Sequence, residues 1–498
     1  MVFLKKYRLE LFIFLSLSLS YFLLRLYNIM SLPIFTDEAI YTRWSQIARY
    51  DSAWRFISLT DGKQPLFVWL DVVVMHFFKD PLFSGRLVSV LAGFGTMVGL
   101  FFLGKEIFKN IWVGILSSFL YLVYPFGLVY DRMALYDSLV GALGVWGLYV
   151  EILLVRKNRL DIALILGMVM GGGLLTKTSL FFNIYLLPFT LLLFDWKGKE
   201  VKKRLFKWIS LAVIAIFLSY GYYSVLRLSP FFNIIGEKNS IFVYPLRDWI
   251  SHPFNFLFGN LHGLLDWLIS YFKLPLLSLV ALSLFLKKNM REKFLLLLWF
   301  AIPFIALALF GRTLYPRFIL FMTLPLLPLV ALSLQKLFLL SKNKFAGSLI
   351  IFLFLLLSLR ADYYIVSDFA RAPIASPDLE QYINNWPSGG GVTEIINYLN
   401  KESKSHKIYV ASEGTFGSLP TYAVEIYLGD NKNVDKKGIW PVPSIIPQDL
   451  LDKAKLMPVY FISDQTQIPP PGWPLELVAK YQKGIGNSYM FFYRVVSK

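Results

Sequence analysis

The stretch LPIFTDEAIYTRW, Leu32–Trp44, places two adjacent carboxylates, Asp37 and Glu38, directly after the first long apolar run of the chain. Ionisable side chains close to the hydrocarbon region of a membrane are costly unless they are hydrated or paired. In the residues that follow, apolar side chains recur at helical spacing: Ile40, Trp44 and Ile47. Because the charges lie elsewhere, the pattern predicts a helix lying along the membrane in the first loop of a membrane protein.

Apolar runs recur along a chain of 498 residues that is 56% hydrophobic. Each run has roughly twenty residues, enough to cross a hydrocarbon core of about 30 Å. The sequence therefore predicts a polytopic α-helical membrane protein with about eleven transmembrane helices. We place them near residues 10–29, 86–104, 111–129, 134–154, 161–176, 179–195, 206–226, 264–286, 294–310, 318–334 and 346–364.

Basic clusters flank these runs at Lys5–Arg8, Arg156–Arg159, Lys197–Arg204, Lys287–Lys293 and Ser341–Lys344. Loops rich in Lys and Arg stay on the cytoplasmic side of a membrane, which explains the net charge of +18 without a nucleic-acid partner. We therefore predict a multi-pass plasma-membrane protein with an extracytoplasmic C-terminal segment. The short apolar segment Pro65–Phe78 is then an interfacial or re-entrant helix on the outer side.

The composition changes after about Arg371, where Pro, Gly, Asn, Asp, Lys and Ser become more frequent and no further spanning run follows. GGGVTEIINYLNKES predicts a glycine turn and a short helix, whereas KIYVAS, PVYFIS and SYMFFYRVV predict strands. We predict a transmembrane domain over residues 1–365 and a soluble, mixed α/β, extracytoplasmic domain over residues 366–498.

Polar residues from several predicted loops collect on the outer side of the membrane. They are Asp37, Glu38, Lys63, Asp131, Arg132, Asp137, Lys177, Arg312 and Arg317. Carboxylates and cations in four separate turns indicate the mouth of a polar cavity. Other interpretations stay open for single residues. Glu38 is a candidate solvated neighbour, Asp131 with Arg132 a candidate interfacial pair, and Lys177 a cation that snorkels to lipid headgroups.

FTDEAIYTRWSQIARYDS, followed by DGKQPLFVWL, resembles the membrane glycosyltransferases of the GT-C superfamily. The resemblance is to the branch of the protein O-mannosyltransferases and lipid A aminoarabinose transferases. That branch has Asp-Glu and then a tyrosine early in its first outer loop, here Asp37, Glu38 and Tyr41. A lysine-proline motif follows, and here Lys63 is separated from Pro65 by Gln64.

Three further motifs carry the same resemblance over roughly residues 10–190. FSGRLVSV resembles the second span of the family through Arg86, RMALYDSLVG its second acidic loop through Asp137, and GLLTKTSL a later turn through Lys177. One position departs from the pattern: aminoarabinose transferases have an arginine directly before the tyrosine, where this chain has Ile40. The departure argues against the particular donor or acceptor of that subfamily.

The resemblance implies a GT-C-like catalytic domain and an inverting glycosyltransferase. The sugar would pass from a polyprenyl-phosphate-sugar donor to a hydroxyl of a protein, glycolipid or polysaccharide acceptor on the outer side of the membrane. A lipid phosphate is a good leaving group that needs cations to hold its growing charge. Lys63 and Lys177 are the candidates for this role, with Arg132 and Arg317 in reserve.

The remaining site residues follow from the same chemistry. An acceptor hydroxyl needs a base, and Asp37 is the candidate, with Glu38 as a helper. Asp137 is expected to position a substrate or to tune the base, and Tyr41 to bind substrate. The sequence establishes no cofactor, and a divalent cation held by the oxygens of Asp37, Glu38 and Asp137 stays open. The four histidines show no ligand spacing, and no cysteine is present.

Two other classes of protein share parts of this pattern. A transporter or flippase of lipid-linked sugars would also have many spans and a basic cavity, but it more often has broken helices and paired repeats, which the sequence does not indicate. A scaffold that displays the C-terminal domain would leave the ordered outer motifs unexplained.

Overall fold

The structure is a computed structural model that describes residues 8–415, 417–464, 466–467 and 469–496. A bundle of helices occupies the first part of the chain, and a five-stranded sheet with three flanking helices occupies the C-terminal part. The first helices are α1 Arg8–Leu26, α2 Thr36–Tyr50, α3 Leu66–Val74, α4 Pro81–Phe108, α5 Ile111–Leu122, α6 Pro125–Asp131, α7 Asp137–Lys157, α8 Leu160–Leu174, α9 Phe181–Leu186 and α10 Val201–Ser224. The bundle continues with α11 Ile234–Phe242, α12 Leu246–Ser251, α13 Leu257–Phe272, α14 Leu274–Phe285, α15 Met290–Phe310, α16 Leu320–Thr323, α17 Leu327–Leu340 and α18 Lys344–Ser367.

Seven helical segments in the described part of the chain are long and apolar enough to cross a membrane. They are Arg8–Ser31, Pro81–Phe108, Asp137–Lys157, Val201–Leu228, Met290–Phe310, Pro316–Leu340 and Lys344–Ser367. Two bent pairs raise the number to nine: α5 with α6 turns by 61°, and α13 with α14 by 97°. Pro125 and Pro275 lie at the starts of α6 and α14, where a missing N–H breaks the helical ladder.

The expected count of about eleven spans is not confirmed. The two remaining predicted spans correspond to the shorter apolar helices Leu160–Leu174 and Thr178–Leu193. At about 1.5 Å per residue, 15 residues in the first of them reach only about 22 Å, less than the hydrocarbon thickness. The sequence did not indicate the bends in the two helix pairs, which the structure shows.

Three of the basic clusters, Arg156–Arg159, Lys197–Arg204 and Lys287–Lys293, converge at one end of the bundle. Arg156, in the last turn of α7, donates a 2.9 Å bond to Glu106 and lies 3.7 Å from Glu292, while Asn158 Nδ2 donates to the carbonyl of Arg204 at 3.0 Å. The opposite end of α7 begins at Asp137, about 30 Å away along a 21-residue helix. Residues Lys5–Tyr7 of the first basic cluster lie outside the described residues.

The predicted helix of the first loop is confirmed as α2, and the predicted short apolar helix as α3. The face of α2 that packs into the protein differs from the expected one: Ile40 and Ile47 are only half-buried, whereas the buried residues are Glu38, Ala39, Tyr41, Thr42, Trp44, Ser45 and Ala48. The polar members of that face pack against protein, so α2 is part of the bundle's polar interior as well as a surface helix.

The C-terminal sheet has the strand order β2-β1-β3-β5-β4. Its strands are β1 Ile408–Glu413, β2 Val434–Ile439, β3 Val459–Ser463, β4 Leu475–Gln482 and β5 Tyr489–Val495, and its helices, which follow the short α19 Ser376–Leu379, are α20 Val392–Glu402, α21 Leu419–Leu428 and α22 Gln448–Ala454. The three predicted strands are confirmed as β1, β3 and β5. The sequence missed β2 and β4 because both are edge strands whose residues are mostly half-buried or exposed, and so lack a continuous apolar pattern.

The sheet domain is docked on the first loop of the bundle. The N–H of Thr36 donates to the carbonyl of Pro387 at 3.0 Å, and the N–H of Gly389 donates to the carbonyl of Ile34 at 2.7 Å. Farther along α2, Arg43 pairs with Glu425 of α21 at 2.8 Å. The start of α2, where Asp37 lies, is therefore held by both parts of the protein.

Candidate active site

One cavity of about 470 Å³ opens at the end of the bundle opposite to the basic clusters. One part of its wall is apolar and comes from α9, α15 and the segment after Arg317: Phe181, Phe182, Leu307, Phe310, Phe318 and Phe321. The other part is polar: Tyr41, Lys63, Gln64, Asp137, Lys177, Lys238 and Arg317. The sequence-predicted residues Tyr41, Lys63, Asp137, Lys177 and Arg317 are therefore brought together in one cavity.

Asp37 lies behind this wall, in the first turn of α2, and forms an ion pair with Arg317 at 2.8 Å between Oδ2 and Nη1. Burial alone would raise the pKa of Asp37, but the positive charges of Lys63 and Arg317 outweigh it and lower the pKa to about 2. The Asp37 carboxylate is therefore ionised at neutral pH. Its side chain is 19% exposed, so it is close to the cavity without being sealed from it.

Asp137 and Lys177 form the second ion pair of the cavity, at 2.8 Å between Oδ1 and Nζ. Asp137 is the first residue of α7, and Lys177 lies in the turn between α8 and the short 3-10 helix Thr178–Leu180. Burial lowers the pKa of Lys177, while the Asp137 carboxylate acts in the opposite direction. The ammonium also lies 4.9 Å from the centre of the Phe318 ring, so it faces both the polar and the aromatic walls.

Lys63 donates a 2.8 Å hydrogen bond to the hydroxyl of Tyr41. Its Nζ is also 4.0 Å from Asp61, whose other carboxylate oxygen accepts from Lys238 at 2.6 Å. Lys238 belongs to α11, which packs over the 3-10 helix Ile57–Asp61. Sequence reasoning missed Lys238 because its loop carries no motif, and only the packing of α11 brings it to the cavity.

The turns that carry Lys63 and Lys177 are joined directly. Gln64 Nε2 donates to Thr178 Oγ1 at 2.9 Å, and the N–H of Leu66 donates to the carbonyl of Leu175 at 3.0 Å. Gln64 is 3% exposed and both bonded side chains line the cavity. The residue that interrupts the family's lysine-proline motif therefore has a defined partner in this protein.

Glu38 is not solvated and does not line the cavity. Its carboxylate is fully buried and accepts bonds from Arg86 Nε at 2.9 Å, from Arg86 Nη2 at 2.8 Å, and from the N–H groups of Phe35 and Ala134 at 3.0 and 2.7 Å. Successive side chains on a helix diverge by about 100°, which is why Glu38 turns into the protein while Asp37 turns toward Arg317. Glu38 is therefore neither a solvated neighbour nor a helper in the cavity; it stabilises the start of α2 through its buried pair with Arg86.

Arg132 is also absent from the cavity wall. Its guanidinium donates to four backbone carbonyls at the end of α1, those of Leu24, Arg25, Tyr27 and Asn28. Asp131 does not pair with Arg132; it accepts from Arg25 at 3.4 Å and from Tyr21, Tyr121 and Ser138. The carbonyls at the end of α1 take both terminal nitrogens of Arg132, and its Nε is buried away from the cavity, so Arg132 is not available as a reserve phosphate ligand.

A divalent cation does not fit the three candidate carboxylates. Asp37 pairs with Arg317, Asp137 with Lys177, and Glu38 with Arg86. Within residues 8–415, 417–464, 466–467 and 469–496, no group of three or more His, Cys, Asp or Glu side chains comes close enough to hold a metal. Since each carboxylate already has a cationic partner, we derive no step through a metal.

Comparisons with known proteins fit this geometry. A family model described as dolichyl-phosphate-mannose-protein mannosyltransferase matches residues 62–223, which include Lys63, Asp137 and Lys177. No curated protein matches the sequence.

Solved structures match over nearly the whole chain. ArnT from Cupriavidus metallidurans in the apo state has 13% identity over 97% of both chains with a TM-score of 0.61, and the same protein bound to undecaprenyl phosphate has 13% identity over 98% of both chains with a TM-score of 0.58. The Archaeoglobus fulgidus oligosaccharyltransferase tethered to an acceptor peptide has 13% identity over 93% of this chain and 70% of that chain, with a TM-score of 0.52. The protein therefore has the GT-C fold, and the resemblance to the superfamily that includes the aminoarabinose-transferase and O-mannosyltransferase branch is confirmed.

Proposed function

We propose that the protein is an inverting glycosyltransferase that moves a sugar from a polyprenyl-phosphate donor to an acceptor hydroxyl. The observation that carries the proposal is the composition of one cavity: four cations, Lys63, Lys177, Lys238 and Arg317, stand beside an apolar aromatic wall. A phosphate fits among the cations and an isoprenoid chain fits along the apolar part. The match to ArnT, which binds undecaprenyl phosphate in its solved structure, supports the same assignment.

The cations serve the leaving group. When the bond between sugar C1 and the phosphate oxygen breaks, the bonding electrons stay on that oxygen and the lipid phosphate gains negative charge. Preorganised positive groups stabilise charge that develops in a transition state more than charge present before it. Lys63 and Lys177 are fixed by Tyr41 and Asp137, at 2.8 Å each, so their ammonium groups are positioned before the donor arrives.

Asp37 is the proposed base. The acceptor oxygen attacks C1 from the face opposite to the phosphate, the C1–O bond to phosphate breaks, and the acceptor proton passes to Asp37. One in-line displacement inverts the anomeric carbon. A carboxylate with a pKa of about 2 is a weak base, and the positive charges of Lys63 and Arg317 weaken it. Because Arg317 also lines the cavity, donor phosphate attracts it away from Asp37 and strengthens the base as the donor binds.

Other polar residues position these groups. Asp137 holds Lys177 in the cavity, and Tyr41, which also lines the cavity, holds Lys63. Glu38 and Arg86 fix the start of α2, because Arg86 also donates to the carbonyls of Ile29, Leu32 and Pro33. Asp37 is thereby oriented by its neighbour in sequence, although that neighbour does not touch the cavity.

We place the cavity and residues 366–498 on the outer side of the plasma membrane. The support is the convergence of the basic loops at the other end of α7, since positive loops remain cytoplasmic. The acceptor then approaches from the side of the sheet domain, which is docked on α2 next to Asp37. The acceptor classes consistent with this arrangement are a protein, a glycolipid or a polysaccharide hydroxyl.

The alternative function is transport of a lipid-linked sugar, and the two bent helix pairs are the observation that favours it. In such transporters the broken helices line the binding site. Here the cavity wall contains none of the residues at either break, Val123–Pro125 and Phe272–Pro275, so the bends do not form the site. Asp37, paired with Arg317, and Lys177, paired with Asp137, lie at the cavity and favour sugar transfer over transport.

Turnover separates the two functions. The purified full chain is incubated with a panel of polyprenyl-phosphate sugars that differ in the sugar, each labelled there, and release of lipid phosphate and transfer of label are followed. We expect release of lipid phosphate and transfer of label from at least one donor, and we expect both to be lost in Asp37→Asn. Movement of intact donor across proteoliposome membranes without cleavage, at the same rate in wild type and Asp37→Asn, would replace the proposal by transport.

A further inference from the structure

A second cavity lies at the basic end of the bundle, far from the first. It has a volume of about 380 Å³ and is lined by Pro188, Phe189, Leu191, Leu192, Trp196 and Arg291. Five of these side chains are apolar or aromatic, and Arg291 is the one charged group among them. Trp196 and Phe189 are 48% and 40% exposed, so the cavity opens outward from the bundle.

The cavity exists because the helical segment Thr178–Leu193 is short. Its 16 residues end in a 3-10 stretch, Leu187–Leu193, so its length is about 24–28 Å against a hydrocarbon core of about 30 Å. The segment starts at the first cavity, beside Lys177. It therefore ends before it has crossed the full thickness of the hydrocarbon core at the basic end. Its end packs against α15, and the space between them is the second cavity.

The rim of this cavity is positive. The segment after it contains Lys197, Lys199, Lys202, Lys203, Arg204 and Lys207, against Asp195 and Glu200. Both of these acids are already paired, Asp195 with Arg204 at 3.1 Å and Glu200 with Lys203 at 3.4 Å. Within the part of the chain that the structure describes, Arg291 makes no ion pair and no side-chain hydrogen bond, so its five donors are available to a ligand.

Trp196 indicates where the cavity lies relative to the membrane boundary. Its indole N–H donates to the carbonyl of Leu191 at 3.1 Å, and its ring packs edge-on against Phe194 with centroids 4.9 Å apart. Tryptophan with one polar edge and one apolar face is typical of the boundary between headgroups and acyl chains. The apolar side chains of the cavity match the acyl chains of a phospholipid. The unpaired guanidinium of Arg291 matches its phosphate.

We propose that this second cavity binds an anionic phospholipid, with its acyl chains against Phe189 and Leu192 and its phosphate at Arg291. A zwitterionic lipid of the same chain length fills the apolar part equally but brings a choline or ethanolamine cation to a rim that is already positive. The site is therefore selective for the headgroup charge. The inference is independent of the proposed transfer reaction, since it uses none of the residues of the first cavity.

The test is native mass spectrometry of the full-length protein with phosphatidylglycerol and phosphatidylcholine of identical acyl chains. One Lys or Arg close to an anionic headgroup contributes about 1 kcal/mol, so wild type should retain the anionic lipid about fivefold more than the zwitterionic one. Arg291→Gln should bring the ratio close to one.

The matched control is Lys288→Gln, which removes an exposed cation three residues before Arg291 that does not line the cavity. It should keep the fivefold preference. Leu192→Trp fills the apolar part and should weaken retention of both lipids together. The proposal is overturned if Arg291→Gln keeps the preference, if Lys288→Gln loses it as fully as Arg291→Gln, or if inorganic phosphate displaces the bound lipid, which would identify a site for free phosphate.

Discussion

Gln64 and Thr178 join the two lysine-bearing turns of the cavity through a partly buried hydrogen bond of 2.9 Å. Gln64 directly follows Lys63, and Thr178 directly follows Lys177, so the bond links the two turns whose lysines line the cavity. A proline at position 64, as in the family's usual motif, has no side-chain donor for this bond. In this chain a side-chain bond takes part in holding the two turns together.

Removing that bond should weaken the phosphate site without removing either lysine. Thr178→Val keeps the shape and loses the hydroxyl, leaving the buried Gln64 amide unsatisfied, which costs about 1–3 kcal/mol. We expect the KM for the donor to rise about tenfold, with a smaller fall in kcat, because the lysines act in both the ground and the transition state. Steady-state kinetics with the donor identified in the turnover assay measure both constants.

Thr178→Ser is the control for this prediction, because it retains the hydroxyl and should restore the wild-type KM. Gln64→Leu should resemble Thr178→Val, and the double variant should be less than additive because the two side chains share one bond. Equal effects of Thr178→Ser and Thr178→Val would show that packing, not the hydrogen bond, matters at this position.

Asp37→Asn tests the base. The variant keeps the shape of the side chain and loses its basicity, so single-turnover transfer should fall by a hundredfold to ten-thousandfold, or roughly 3–5 kcal/mol of barrier. Donor binding should change far less. Lys63→Ala, in contrast, should lower both the single-turnover rate and the affinity for the donor. A near-normal single-turnover rate in Asp37→Asn would move the search for the base to Asp137.

The pH dependence follows from the low pKa of Asp37. Because the folded pKa is about 2, below the usual value for aspartate, the ion pair with Arg317 stabilises the fold above the unfolded pKa near 4 and loses this contribution as the pH falls toward 2. In the free enzyme, kcat/KM should show no acid limb from Asp37 above pH 4. Arg317→Gln removes a major cause of the low pKa and should bring an acid limb into view at higher pH. An unchanged profile in a folded Arg317→Gln variant would contradict the pairing.

Glu38→Gln should act mainly on stability. Glu38 and Arg86 are both fully buried, and removing one charge leaves the other without its partner, which typically costs about 3–5 kcal/mol. We expect a lower Tm in detergent and a fall in turnover smaller than that of Asp37→Asn, with the donor KM close to normal in the folded fraction. A loss of turnover as large as that of Asp37→Asn at an unchanged Tm would give Glu38 a direct role in the chemistry.

Membrane orientation is testable because the chain has no cysteine. Ser405 lies on the exposed turn after α20, so Ser405→Cys should react with an impermeant maleimide in intact cells or spheroplasts. Lys199→Cys, in the basic loop at the other end, should react only after permeabilisation. The reverse pattern would place the cavity on the cytoplasmic side and remove the proposed outer-side transfer.

Much of the architecture is determined by local sequence. Runs of about twenty apolar residues can only be buried in lipid or protein, so the membrane bundle follows from hydropathy alone. The short apolar runs of β1 and β3 follow from burial on both faces in the centre of the sheet, and the alternation of β5 follows from burial on one face. The motif residues Asp37, Lys63, Asp137 and Lys177 were found from the sequence because each lies in a short turn next to a span, where charge is conspicuous.

Only the tertiary structure decided which charged residues share a site. Glu38 and Asp37 are adjacent in sequence, yet the rotation of a helix sends one to Arg86 and the other to Arg317, 280 positions along the chain. From its position in a loop, Arg132 was a candidate phosphate ligand, but its guanidinium donates to the carbonyls at the end of α1. Lys238 reaches the cavity only because α11 packs on the 3-10 helix Ile57–Asp61. Partners of buried charges lie far apart in sequence, and their choice depends on packing that no local pattern records.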